Sequence, residues 1–485
     1  LPDGIEGELI ALWQELFGID SIGVDDEFGA LGGTSLLSVR MALEVQQRYG
    51  VLVNLHRLGG SQATIRLLGE VLRAGAGPSA AGAELAQAAD GDGGLVDADL
   101  TVYLGPVAPV GAASGSDVLL TGASGFVGSF VLHELIQGTE SRIYCPVRAA
   151  DEAQGWQRLR AAAEQFRLPA PDPARVVVVP GDLRDVADIC AEYGGGELAR
   201  QVGHVLHCAA RVVFTEPYRV LRADNVLPTL DLLSWMRENG IADLSYVSSL
   251  AACGHTLGMG DQLAEHRQQP LDPHAGGYGV SKWVGERLLD RAEQDGMRVR
   301  VFRPGFISGS TETGACNPKD LLWRLMAASI AVGAHPLDDR PVPVAPVDLI
   351  ARAIVALATS PSSVGRAYHL IDPDVQTMPR LFATLGEAGF PTRGMPTAQW
   401  LGLVAEHAVR TGDAVLSSVA LYDVENIETS WNKVECRQWQ GWLSRRGLLP
   451  GLDADRLLRM VRYLTEQPEF KDLLLDGRIA ATGSR

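Results

Sequence analysis

Apolar positions along this chain change their period several times, and each change predicts a different kind of element. Ile5, Leu9, Leu12, Trp13 and Leu16 recur at three- and four-residue steps, so residues 4–17 read as an amphipathic helix. A polar loop with Asp25 and Asp26 follows, anchored by Phe28 and Leu31. Leu36, Leu37, Val39, Met41 and Val45 place a second helix just after Gly32-Gly33-Thr34, and a third is predicted over 64–72. Residues 1–73 are therefore expected to form a small all-α bundle. Residues 74–94, AGAGPSAAGAELAQAADGDGG, hold no aromatic and almost nothing large and apolar. Such a tract buries too little to offset the entropy of ordering it. It reads as a flexible linker extending to residue 116, although residues 100–104 could dock as a short strand.

From Asp117 the pattern alternates between strand and helix. The predicted strands are 118–121, 142–147, 175–180, 204–208, 244–248 and 298–303, with helical stretches between them. That alternation predicts an α/β domain of Rossmann type over 117–374, with a parallel, doubly wound sheet. After about Asp374 the strand-like runs stop. Residues 375–485 are expected to be mostly helical, with Trp400, Trp431, Trp439 and Trp442 as bulky packing residues. No internal repeat is visible.

Composition narrows the function. Apolar residues make up 46% of the 485 and charged ones 21%, a globular balance. The formal charge is −17, and only four basic residues are lysines: Lys282, Lys319, Lys433 and Lys471. With no Lys/Arg-rich run, nucleic acid and an anionic membrane surface are poor partners. The six cysteines, at 145, 190, 208, 253, 316 and 436, form no CxxC pair and no zinc-like spacing. They read as small core residues in a reducing compartment, and no metal site is expected. No apolar run reaches the ~20 residues that span a bilayer. The longest, 321–336, is broken by Arg324 and reads as a buried helix. The chain begins with neither Met nor a signal-peptide pattern and opens directly into a helix. A piece of something longer, in the cytoplasm, is the expectation.

The first chemical motif is TGASGFVG, residues 121–128, between a predicted strand and a predicted helix. Gly122 suits the tight turn, Gly125 lets backbone approach a pyrophosphate, and Gly128 allows close helix–strand packing. Ser124, Phe126 and Val127 complete the segment, and the helix N-terminus offers N–H donors to phosphate. A site selective for NAD would place Asp or Glu about 20 residues further on. Here Arg148 stands there instead, with no carboxylate before Asp151. Its forked donors suit a 2′-phosphate, so the predicted cofactor is NADPH. Arg158 is either a second contact or a solvated surface arginine. Asp182 and Leu183, after the third strand, are placed to meet the adenine. Asn225 and residues 207–210 are expected to line the cleft, and Arg303-Pro304-Gly305 to bring Pro304 beside the nicotinamide.

The second motif is Tyr278-Gly-Val-Ser-Lys282. With ten tyrosines and four lysines in the chain, chance pairs at this spacing are rare. At i and i+4 of one helix both groups face one side. The lysine charge is expected to favour tyrosinate, lowering the phenol pKa and making it a usable proton donor. Twenty-nine residues before the tyrosine, a strand ends in Ser248-Ser249. A hydroxyl there can hydrogen-bond a substrate carbonyl oxygen. The two serines compete for that role, with Ser249 favoured.

TGxxGxxG, the serine, YxxxK and RPG together resemble the extended short-chain dehydrogenase/reductase superfamily, over about residues 116–370. Upstream, DDEFGALGGTSLLS, residues 25–38, resembles the phosphopantetheine attachment site of nonribosomal peptide carrier domains. That resemblance implies 4′-phosphopantetheine esterified to Ser35. From the residues alone, a serine at a helix start suits a phosphate, and equally a plain N-cap. The pair is similar to the terminal thiolation–thioester reductase didomain of nonribosomal peptide synthetases; carboxylic acid reductases and fungal α-aminoadipate reductases end in the same way. The resemblance implies NADPH-dependent release of a peptidyl or aminoacyl thioester as an aldehyde, with an alcohol after a second reduction. Ser249 and Tyr278 would hold the oxygen, and Tyr278, assisted by Lys282, would give the proton. The implied partners are upstream synthetase modules, a phosphopantetheinyl transferase and the carrier-bound thioester, with the helical C-terminal part receiving the carrier. Two enzyme rivals share this fold. A nucleotide-sugar epimerase or dehydratase is disfavoured by Arg148 and the carrier, and a non-reductive cyclising domain by the presence of Tyr278.

Overall fold

Three amphipathic helices, α1 (Ile5–Phe17), α2 (Ser35–Tyr49) and α3 (Ile65–Arg73), begin the computed structural model. It describes residues 4–50, 63–73, 96, 99–100, 115–214, 216–253, 262–271, 275–339, 341–374, 376–420 and 433–474. Gly18 and Gly50 end α1 and α2 in the left-handed conformation that suits glycine. The apolar stripes meet around Trp13, fully buried, which packs edge-on against Phe17 and Phe28. Most of the predicted linker lies outside the described residues, but residues 96, 99 and 100 within it are anchored. Val96 enters the core below, and the buried Asp99 carboxylate accepts from Tyr218 Oη at 2.5 Å and pairs with Arg222. Leu100 is helical, and its carbonyl accepts from Arg291 at 2.6 Å; the rest of the possible strand, 101–104, lies outside the described residues.

The sheet has seven parallel strands in the order β3-β2-β1-β4-β5-β6-β7. They are β1 (Asp117–Thr121), β2 (Ile143–Val147), β3 (Val176–Pro180), β4 (Val202–His207), β5 (Asp243–Val247), β6 (Arg298–Pro304) and β7 (Arg366–Leu370). Strands such as DVLLT and IYCPV are buried throughout because helices cover both faces. The chain runs outward from β1 to β3, then returns to lay β4 on the other side of β1. That reversal opens a crevice at the carboxyl ends of β1 and β4, where ligands of such sheets bind.

Four helices build the site or frame it: α4 (Phe126–Gly138), α5 (Glu152–Gln165), α6 (Tyr218–Asn225) and α7 (Gly277–Gln294). Strands do not stop at 374, contrary to the expectation. Gln376–Thr377, Arg393–Met395 and Lys433–Val434 each form a short ladder with an earlier segment, at 341–342, 334–336 and 262–263. The C-terminal helices accordingly share one continuous core with the sheet, from Leu120 to Leu474. Trp400 and Trp439 are buried there and donate to the carbonyls of Ala334 and Ile371; Trp431 lies outside the described residues. Two of these helices, α8 (Thr397–Thr411) and α9 (Ala414–Ala420), receive the carrier bundle. Val39 and Leu43 of α2 pack there against Ala405, Val409 and Ala420.

Candidate active site

The cofactor side of the crevice is built of backbone. Helix α4 begins at Phe126 with Gly125 as its N-cap and no side-chain cap, so its first N–H groups stay open to an anion. A Cβ on Gly128 would lie 2.0 Å from the Gly122 carbonyl oxygen, so only glycine lets the helix start sit this close to the turn. Ser124 is exposed, and Phe126 and Val127 are half-buried against the core. Arg148, just after β2, and Arg158, on α5, are exposed, and neither pairs with a carboxylate among the described residues. Asp182 caps the turn after β3 by accepting from Arg184 N at 3.0 Å, beside half-buried Leu183. Pro304 is buried at the end of β6, paired with Leu370. Open helix N–H groups, a glycine-only cradle and two unpaired cations fit a phosphorylated dinucleotide.

Between β1 and β4 the crevice floor is stitched by His207, whose ring bonds Thr121 Oγ1 at 2.6 Å and Thr229 Oγ1 at 3.1 Å. Burial, helped by the Lys282 charge, pushes this imidazole down to about 3, so it is neutral. Asn225, expected to line the cleft, has a different task in the structure. Its Oδ1 accepts from Arg211 N at 2.7 Å, while Nδ2 donates to Arg211 O at 3.1 Å and to Ser281 Oγ at 3.0 Å. Both amide protons are committed to holding the segment after β4 against α7.

Tyr278 and Lys282 stand one turn apart near the start of α7, and both are buried. Ser249, just past β5, accepts from Ala251 N at 3.2 Å, and its hydroxyl acts on the Tyr278 phenol. Ser248 points elsewhere, donating to Glu286 at 2.6 Å. That bond commits Ser248 to the buried carboxylate and leaves Ser249 as the serine on the phenol side. Burial raises Tyr278 to about 12; the Ser249 hydroxyl pulls it down, and the nearby Asp320 carboxylate pushes it up. The expected lowering by Lys282 is not what the structure shows. The Lys282 ammonium donates to the Val247 carbonyl at 2.8 Å and to Tyr246 Oη at 3.3 Å, lying 4.5 Å over the Tyr246 ring. Burial lowers this lysine to about 8, against the pull of Cys208 and Glu286.

Behind these groups lies an ion pair that the motifs did not flag. Arg303, fully buried at the end of β6, donates to both carboxylate oxygens of buried Glu286, at 2.9 and 2.6 Å. Its remaining donors hold the carbonyls of His266 and Arg267 at 2.7 and 2.8 Å. Glu286 is one helical turn beyond Lys282, so extending YxxxK by four residues would have found it. On the carrier, Ser35 is the first residue of α2. Its N-cap is Thr34, which accepts from Leu37 N at 3.3 Å, so capping falls to Thr34.

Among the described residues no helix is long and apolar enough to cross a membrane. Residues 7–72 match the phosphopantetheine attachment site family, and residues 120–354 match the male sterility protein family of NAD-binding domains. A component of the linear gramicidin synthase of Brevibacillus parabrevis is 30% identical over 423 residues, 84% of this chain and 8% of that protein. The chain spans 40% or less of the length of the curated relatives it matches. A thiolation–reductase di-domain of an archaeal nonribosomal peptide synthetase shares the fold, with a TM-score of 0.74 at 20% identity, over 97% of this chain and 99% of that one. The terminal R domain of the myxalamid PKS-NRPS pathway is 31% identical, with a TM-score of 0.69, covering 78% of this chain and 98% of that one. With that geometry and these relatives, the chain belongs to the family of terminal reductase domains of nonribosomal peptide synthetases, here preceded by a carrier domain.

Proposed function

We propose that this chain releases a peptidyl or aminoacyl thioester from its own carrier by NADPH-dependent reduction. The observation that carries the reading is the pair Tyr278 and Lys282, buried one turn apart on α7, with the Ser249 hydroxyl acting on the phenol. Ser249 and Tyr278 present two hydroxyls to one carbonyl oxygen, where negative charge develops as the carbon is reduced. Tyr278 then gives its proton to that oxygen, and the resulting hemithioacetal collapses, its hydroxyl proton passing to sulfur as the carbon–sulfur bond breaks, to leave an aldehyde and the carrier thiol. Lys282 keeps a positive charge behind the phenol and, through the Val247 carbonyl, fixes the strand end that carries Ser249. NADPH, when bound, supplies the hydride; unpaired Arg148 and Arg158 would hold its 2′-phosphate. Asp182, Leu183 and Pro304 complete the proposed cofactor site, and a second round would carry the aldehyde to a primary alcohol.

Ser35 is the proposed attachment point of 4′-phosphopantetheine, installed by a phosphopantetheinyl transferase and loaded by upstream modules of the synthetase, in the cytoplasm. Tyr278→Phe tests the chemistry on a soluble thioester, with turnover read from loss of NADPH fluorescence. It should cost about a hundred- to ten-thousand-fold in turnover while NADPH still binds. Unchanged turnover would remove Tyr278 as the proton donor.

A further inference from the structure

Two of the five exposed large apolar side chains among the described residues, Val212 at 57% and Phe214 at 43%, sit on the segment following β4. The Phe214 ring packs against the Tyr278 ring, with centroids 5.0 Å apart and planes at 70°. Exposed apolar side chains are ordinary on a surface. These two differ because the backbone that carries them is fixed from both ends. Upstream, the Asn225 amide clamps Arg211 N and O and reaches Ser281 on α7. Downstream, a Cβ on Gly277 would lie 2.3 Å from the Glu216 carbonyl oxygen and 2.4 Å from Tyr218 N, so the chain there lies flush on the start of α7. The wall is thereby registered to the helix that bears Tyr278 and Lys282.

We propose that Val212 and Phe214 form the specificity wall of the site and take an apolar acyl chain immediately beyond the thioester carbonyl. The inference rests on the reductive reading above and adds the substrate class. A carbonyl oxygen held by the Tyr278 hydroxyl places the carbons next to it beside the ring that touches the phenol. Charge agrees with this occupant. Arg211, the cation of the segment, is paired with Asp224 at 3.2 Å and Glu216 at 3.6 Å, so it is not free to receive a carboxylate. Burying methylenes on Phe214 and Val212 removes apolar surface of both partners from water, which favours long aliphatic or aromatic chains over short or anionic ones.

The test uses the full chain with octanoyl-pantetheine and acetyl-pantetheine, and reads the ratio of their kcat/KM values from NADPH oxidation. The intact chain should prefer octanoyl by at least about tenfold, since a pocket contact of one or two methylenes is worth roughly that much. Phe214→Ala should cut the preference by about ten- to a hundredfold, mainly through KM, and Phe214→Leu should restore most of it. Val212→Thr keeps shape at an exposed position, and should shift the ratio in the same direction by a smaller factor. A ratio unchanged in Phe214→Ala and in Val212→Thr overturns the wall while leaving the reductase reading standing. If the unsubstituted chain oxidises no NADPH with either thioester, the reductase reading falls and the wall falls with it.

Discussion

Removing the Glu286 charge tests the buried scaffold behind the serine and tyrosine. Burial alone would raise this carboxyl, but the Arg303 guanidinium, its hydrogen bonds and that from Ser248 outweigh burial and hold it below the usual carboxylate range. Glu286→Gln leaves Arg303 buried without a counter-charge, a change that typically costs about 3–5 kcal/mol. The lower end is expected, near 3 kcal/mol, because Arg303 keeps the carbonyls of His266 and Arg267 and the glutamine oxygen still accepts from Ser248. Glu286→Leu also strands the Ser248 hydroxyl, adding about 1 kcal/mol. Urea unfolding followed by tryptophan fluorescence reads these costs. Replacing both partners, Glu286→Leu with Arg303→Met, should cost clearly less than the sum of the single changes, since neither charge is then left alone. Because the folded carboxyl lies below its unfolded value, its stabilisation is complete above an unfolded pKa of about 4.3 and is lost as pH falls through the folded value. The gap between Glu286→Gln and the unsubstituted chain should therefore hold from about pH 5 upward and close in acid. Single costs under about 1 kcal/mol, or strict additivity, would refute the claim of a coupled, desolvated pair.

Arg148→Ala should weaken NADPH binding by about 1.5–3 kcal/mol and NADH binding far less, measured by fluorescence titration; equal losses would remove Arg148 as the discriminator. Lys282 offers a pH test. With its ammonium lowered to about 8, turnover should fall as pH rises through that value and the charge behind Tyr278 is lost. Lys282→Arg should show lower turnover whose alkaline limb moves up beyond about pH 10, because arginine stays charged. A limb that stays near 8 in that variant would assign the ionisation to another group.

Much of this architecture was legible because burial imposes strict patterns. The first and third carrier helices, the start of the second and six of the seven sheet strands lie within two residues of their predicted bounds, since amphipathic stripes and fully buried parallel strands each leave a clear period. The seventh strand, RAYHL, escaped because His369 and Arg366 interrupt its apolar run. His369 is tolerated there by hydrogen bonds to the Glu435 carbonyl at 2.8 Å and to Arg303. The short ladders after residue 374 have only two or three residues each, too few to show any period. At the site, spacing brought out Ser249, Tyr278 and Lys282, but it could not say where the lysine proton donors go. That depends on the Val247 carbonyl, which no side-chain pattern marks. The role of Asn225 was hidden for the same reason, as its partners are the backbone of Arg211 and a serine on another element.

The central claim is that hydride delivery in this crevice releases what Ser35 carries. The direct measurement loads the carrier enzymatically with the octanoyl-phosphopantetheine arm of octanoyl-coenzyme A, adds NADPH, and identifies the released compound by mass spectrometry. The account predicts octanal or octanol together with a free carrier thiol, and no release from Tyr278→Phe. Ser35→Ala should take up no arm, yet still oxidise NADPH with soluble octanoyl-pantetheine. Octanoic acid in place of the aldehyde or alcohol, or equal release without NADPH, would contradict it.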